Sequence, residues 1–305
     1  MPTSLLPFIL CCFRATALLL AFFLLPPTAQ AREKLTIGLI PELNVFAQMQ
    51  RYQPLAAALS RELDMEVELT MMSRYGNIID RLRNQQLDAA FLGSLTAALA
   101  IVQLDIEPLA RPVVQDGSGT NRGQLFVRKD SGIRTAADLR GKVMAFVDPA
   151  STAGYLFPLA WLKENGADDY RTLFKEYFFA GSHDAAIDAV LKKQADIGAT
   201  KDIVLNYYLD QNPGAREQLV VLASSPPVPT NALCIMRRVS KETRAKIKAC
   251  LLALDATQAG REVLKPLRAT RFAAATADDY RPVMDMAREA GIDLVNMKNY
   301  SAEDH

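Results

Sequence analysis

Asp148-Pro-Ala-Ser-Thr-Ala-Gly-Tyr-Leu-Phe-Pro158 places small hydroxyl residues where a buried strand gives way to a helix. The run Lys142 to Val147 predicts the strand, and the spacing beyond it predicts a helix from about Thr152 to Asn165. A helix start leaves its first backbone N–H groups without acceptors in the chain, so those groups and the hydroxyls of Ser151 and Thr152 converge on a spot suited to an anion. A second junction of the same kind, Gly181-Ser-His-Asp184, joins a predicted strand Glu176 to Phe179 to a predicted helix Asp184 to Lys193. Two helix N-termini facing one ligand is what this pair of junctions implies. Taken alone, Ser151 and Thr152 read as readily as ordinary helix caps, and His183 as a residue of a capping region.

Outward from these junctions, strand and helix patterns alternate. Strands are predicted at Leu35 to Ile40, Glu66 to Met72 and Asp88 to Leu92, with helices near Tyr52 to Leu63, Gly76 to Asn84 and Ser94 to Gln103. Leu55, Leu59 and Leu63 form one apolar stripe, and Ile78, Ile79 and Leu82 another, which are core faces. A polar, glycine-containing link from Gln115 to Asn121 precedes a strand Gly123 to Val127 that opens a second series ending near Leu222. The segment Ser224-Ser-Pro-Pro-Val-Pro-Thr230 then reads as a stiff extended return, because its prolines cannot continue a central strand. A strand Asn231 to Met236 and helices near Lys241 to Leu254, Ala259 to Leu267 and Thr276 to Ala290 pack most simply on the first half. The expected fold is α/β with two lobes, each a mostly parallel sheet flanked by helices, joined by two hinge crossings. Lobe 1 is expected over residues 32–118 and 227–305, and lobe 2 over 119–226.

Arg14, the apolar run Ala15 to Leu25 and the small-residue site Ala29-Gln-Ala31 read as a secretory signal peptide spanning residues 1–31. Beyond it the chain carries 34 basic residues, the 35 of the full chain less Arg14, against 34 acidic ones. This balance speaks against nucleic acid as a partner. Cys234 and Cys250 remain, either as a disulfide or as buried thiols. With histidine only at His183 and His305, no metal site of ordinary ligand spacing is expected, and no cofactor.

Several short motifs carry a family resemblance across nearly the whole chain after the leader: Tyr52-Gln-Pro-Leu55, Tyr75-Gly-Asn-Ile-Ile79, Asp88-Ala-Ala-Phe-Leu-Gly93, Arg128-Lys-Asp-Ser131, Asp148 to Pro158, Gly181-Ser-His-Asp184 and Ala195-Asp-Ile-Gly198. In their order and spacing the sequence resembles the periplasmic phosphate, phosphite and phosphonate-binding proteins of ABC importers. The resemblance implies a type II binding-protein clamshell, capture of a small phosphorus oxyanion, delivery to an ABC permease in the inner membrane, and a monomer. It also implies ligand contacts from Tyr75, Ser94, Ser151, Thr152, Ala153, His183 and Asn231. A tetrahedral oxyanion offers only acceptors, so a dry site must present donors. Neutral N–H and O–H groups supply them without burying a cation.

Two departures bear on the ligand. Relatives commonly carry tyrosine and serine where this chain has Leu92 and Ala153, and the wall that would hold an aminoalkyl group offers only Asn231 and Asp202, so an aminoalkyl ligand is not expected. Phosphate, phosphite, a small alkylphosphonate or another small anion stay open, as does a sensing role with the same clamshell. Arg74, Arg122 and Lys201 could neutralise the anion, but charges near loops read more readily as solvated. An enzyme built on Ser151, His183 and Asp184 or Asp196 is disfavoured, since no Gly-x-Ser-x-Gly elbow is present.

Overall fold

The computed structural model describes residues 33–114, 117–167 and 169–297. The expected leader, His305 and positions 115 and 116 of the expected link lie outside them. In chain order the strands are β1 (Lys34–Leu39), β2 (Glu66–Met71), β3 (Ala89–Leu92), β4 (Ile106–Val114), β5 (Thr120–Asn121), β6 (Gly123–Arg128) and β7 (Val143–Phe146). They continue with β8 (Glu176–Phe179), β9 (Ile197–Lys201), β10 (Leu219–Ser224), β11 (Val228–Pro229), β12 (Ala232–Met236) and β13 (Ala269–Ala274). One sheet is ordered β13-β4-β12-β3-β1-β2 and the other β10-β6-β9-β7-β8. Between them β5 and β11 pair as a two-stranded antiparallel ribbon, with Val228 opposite Asn121. The chain thus passes between the sheets twice, and the two passages are hydrogen-bonded to each other. Thr230 adds its hydroxyl to Pro112 O at 2.8 Å and its N–H to Gly119 O at 2.9 Å.

The expectation of mostly parallel sheets is corrected. Among the described residues only β1 with β2, β1 with β3, β7 with β8 and β7 with β9 run parallel; the ladders to β4, β6, β10, β12 and β13 are antiparallel. A strand–helix–strand crossover returns the chain in the same direction, which accounts for the parallel pairs. Strands that enter a sheet from the other lobe are free of that constraint. β4 and β13 escape sequence patterning altogether. Pro108 and Pro112 inside β4 argue against a central strand, yet β4 lies between β12 and β13, with register irregularities on both ladders.

Alternation along β1 sends Leu35, Ile37 and Leu39 to one core, where they meet Leu55 and Leu59 of the helix Val45–Leu63. That helix starts at Val45, capped by Asn44 Oδ1 accepting from Ala47 N at 3.1 Å, rather than near Tyr52. Pro54, which reads as a first-turn residue, sits in its interior. Alternation also decides the cysteines. Cys234 and its β12 neighbours Leu233 and Ile235 face opposite cores, and Cys250 packs on the side of Leu233 and Ile235. Both thiols are free.

The second core is aromatic. Phe146, at the end of β7, is fully buried against Tyr155 at 5.3 Å, Tyr170 at 5.3 Å and Phe179 at 5.7 Å between ring centroids. Edge-on and offset ring pairs of this kind are rigid supports. They hold in place the turn that follows β7.

Candidate functional site

The turn after β7 is stitched to itself. Asp148 Oδ1 accepts from Ala150 N at 2.8 Å, Ser151 Oγ accepts from Gly154 N at 3.0 Å, and Val147 N donates back to Gly154 O at 3.1 Å. The single helix expected from Thr152 divides into a π-helical turn, Thr152–Leu156, and an α-helix, Phe157–Glu164. Close packing is the reason. A Cβ on Gly154 would stand 2.3 Å from Val147 Cβ, so glycine alone lets the turn lie this near the strand. Tyr155 N and Leu156 N both donate to Ser151 O at 3.1 Å, the wider bonding of a π turn, which often marks functional positions. The hydroxyls of Ser151 and Thr152 each accept one bond here, and their protons stay available for a further acceptor.

The second junction forms as well, starting at His183 with Ser182 Oγ accepting from Ala185 N at 3.3 Å. Its first N–H is engaged, however: His183 N donates to Glu42 O at 3.1 Å. This helix therefore offers the cavity a side chain. His183 is buried, with Nδ1 3.3 Å from Thr200 Oγ1, and its ring stands edge-on to Tyr75 at 6.3 Å. Burial first, and the nearby Lys201 charge second, push its pKa down to about 3 against an opposing pull from Glu42. At neutral pH the imidazole is uncharged.

Tyr75, Ser94, Ser151, Thr152, Ala153 and His183 line one cavity between the lobes, together with Ile40, Gly93, Asn121 and Ala150. Tyr75 is 2 % exposed, and its hydroxyl has no hydrogen-bond partner among the described residues. Burial and the carboxylates around it raise its pKa, so it keeps its proton. A buried hydroxyl without a partner costs about 1–3 kcal/mol. Ser94 sits on the wall but donates its proton to Pro229 O at 2.7 Å, which spends the donor expected for a ligand. Asn231 is buried but outside the lining, with Oδ1 accepting from Lys201 Nζ at 2.9 Å. Asp202 lies outside the lining too, its carboxylate turned to Ile203 N at 2.7 Å.

Two residues of this wall are missed by sequence reasoning. Lys201, read as a solvated charge, is buried and forms an ion pair with buried Glu42. Burial alone would raise the Glu42 pKa, but the Lys201 ammonium reverses this and holds it below the usual carboxylate range. The signal was positional. Lys201 ends β9 and Glu42 follows β1, and the C-terminal ends of strands are where open α/β sheets place ligands. The expectation of a site without cations is corrected to one containing a cation already neutralised by a carboxylate.

The lobes touch directly around this cavity. Leu95 N donates to Thr152 Oγ1 at 2.7 Å, Tyr75 N to Asp148 Oδ2 at 3.4 Å, and Asn44 N to Asp184 Oδ2 at 3.2 Å. Burial pushes the Asp148 pKa up to about 6 despite its N–H donors and the Arg74 charge. Away from the cavity, Arg268 and Asp210 form a further link at 2.8 Å beside a larger, more open cleft. The cavity between these contacts leaves room for about one water.

A family model described as "ABC transporter, phosphonate, periplasmic substrate-binding protein" matches residues 37–280. The Phosphonates-binding periplasmic protein of Escherichia coli is 28% identical over 276 residues, covering 88% of this chain and 80% of its own length. Among solved structures, a binding-protein component of an ABC phosphonate transporter from Pseudomonas aeruginosa superposes with a TM-score of 0.79 at 24% identity, covering 85% of this chain and 87% of that one. A Prochlorococcus marinus protein solved in complex with methylphosphonate gives 0.76 at 23% identity, covering 85% and 98%. At these identities the two structures bear on fold alone: both share the two-lobed architecture.

Proposed function

From the premise that this chain belongs to the family of phosphonate periplasmic substrate-binding proteins of ABC transporters, we propose that it captures a small phosphorus oxyanion between its lobes and presents it to a membrane permease. The observation that carries this reading is the Tyr75 hydroxyl, buried and unpartnered on a wall it shares with the hydroxyls of Ser151 and Thr152. Donors held without acceptors are what a tetrahedral oxyanion completes. The N–H groups opening the turn at Thr152 and Ala153 and the neutral His183 ring add further donors. Ser94 and Asn231 act at one remove, by holding the crossing and Lys201. The site holds its ligand without transforming it. Methylphosphonate, phosphite and phosphate share this chemistry, and the Escherichia coli and Prochlorococcus marinus relatives carry phosphonate in their descriptions.

In the same reading, residues 1–31 are a signal peptide that directs a monomer to the periplasm. Lobe 1 comprises residues 32–118 and 227–305, and lobe 2 residues 119–226, with nucleic acid playing no part. The test is a thermal-shift panel of phosphate, phosphite, methylphosphonate and sulfate. Ligand at about 100 times its Kd adds about 2.7 kcal/mol, roughly 5–10 °C for a domain of this size. A Ser151→Ala/Thr152→Ala variant is expected to fold and lose the response. A variant that responds like the wild type refutes the site.

A further inference from the structure

Lys201 and Glu42 are charged groups buried in a wall that otherwise presents neutral donors. The Lys201 side chain is 7% exposed and that of Glu42 5%. The ammonium reaches two acceptors brought from separate parts of the chain, the Glu42 carboxylate after β1 and Asn231 Oδ1 at 2.9 Å before β12. A carboxylate and an amide oxygen converging on one point form a cradle for an ammonium. We propose that Lys201 is a built-in ammonium occupying that cradle, and that it restricts the ligand to oxyanions without a cationic tail. The inference rests on the reading of the cavity as an oxyanion site.

The alternative role for Lys201 is as the anion's own counter-charge. Geometry disfavours it. A bound anion would have to compete for the ammonium with a carboxylate already in direct contact, and taking Lys201 from Glu42 would leave a buried charge unpaired, which costs several kcal/mol. With the pair intact, the wall is neutral and the anion meets hydroxyl and amide protons. With lysine replaced by a short side chain, the cradle keeps its acceptors and gains space, and a ligand that carries its own ammonium can fill both.

Calorimetric titration of methylphosphonate and 2-aminoethylphosphonate into the wild type, Lys201→Ala and Lys201→Ser tests this, because the two probes share a head and differ by the ammonium. The wild type is expected to prefer methylphosphonate by on the order of 100-fold, as a site with no free partner for a polar group rejects it. Either substitution is expected to move the ratio of the two Kd values toward 2-aminoethylphosphonate by on the order of 100-fold. Near-UV circular dichroism reports whether each variant keeps its tertiary packing. A ratio unchanged in folded variants, or loss of both ligands from them, overturns the inference, the latter by making Lys201 the counter-charge. If neither variant folds, the wild-type preference decides, and equal binding of the two probes overturns the proposal. A wild type that binds no phosphorus oxyanion defeats instead the reading beneath it.

Discussion

Replacing His183 with glutamine removes a buried group whose charge state the fold dictates, and the consequence is readable as stability against pH. His183 is 1% exposed and its pKa falls to about 3, where an unfolded histidine titrates near 6.5. Between these values the unfolded chain holds a proton that the folded chain refuses, so the contribution of His183 is full above pH 6.5 and is lost as pH falls toward 3. The slope is about 1.4 kcal/mol per pH unit, and the whole span amounts to about 5 kcal/mol. Asp148 works in the opposite sense. Its pKa rises to about 6, so its contribution is full below about pH 3.8 and is lost as pH rises through 6. Between pH 4 and 6 the two nearly cancel in the wild type. In His183→Gln only the Asp148 contribution remains of the two. Urea denaturation of ligand-free protein at intervals from pH 4 to 8 gives the test. The stability difference between wild type and His183→Gln should widen in favour of the wild type by about 1.4 kcal/mol per unit from pH 4 to 6.5, then level off. A difference that ignores pH, or that shrinks as pH rises, refutes a neutral, desolvated His183.

Tyr75→Phe separates stability from binding: deleting an unpartnered buried hydroxyl should leave stability unchanged or raise it by about 1 kcal/mol, while the Kd for methylphosphonate weakens ~10-fold or more by calorimetry, as for a lost hydrogen bond to a charged group. Loss of stability with unchanged Kd would return the hydroxyl to the core. Gly154→Ala drives a methyl into Val147 and should cost about 3 kcal/mol in urea denaturation, the upper end of overpacking, and reduce the ligand-induced thermal shift; a neutral substitution would show that the turn does not depend on that close approach.

The readable parts of this chain were those where local chemistry and tertiary position agree. Ser94–Gln103 and Glu176–Phe179 have the predicted bounds: the helix follows Gly93 and stops before Leu104, and the strand is a short run of aromatic residues after Glu176. Ser151, Thr152 and His183 were legible as helix starts after strands, and the structure gathers them on one wall. What stayed hidden depends on distant partners. Pro108 and Pro112 conceal β4 because proline argues locally against a central strand, whereas the pairing with β12 and β13 that makes it one comes from distant parts of the chain. Lys201 reads as a solvated charge and Glu42 carries no local signal until the lobes bring them together across 159 positions. Ser94 was legible as a cavity residue, but nothing local reveals that its proton goes to Pro229.

A crystal structure with methylphosphonate tests whether the anion sits between the two strand–helix junctions. Phosphonate oxygens are expected within hydrogen-bonding distance of the Ser151 and Tyr75 hydroxyls, the opening N–H groups at Thr152 and Ala153, and the His183 ring, with Lys201 still on Glu42. Methylphosphonate seated in the open cleft beside Arg268, or anywhere out of reach of Thr152 and His183, contradicts this placement.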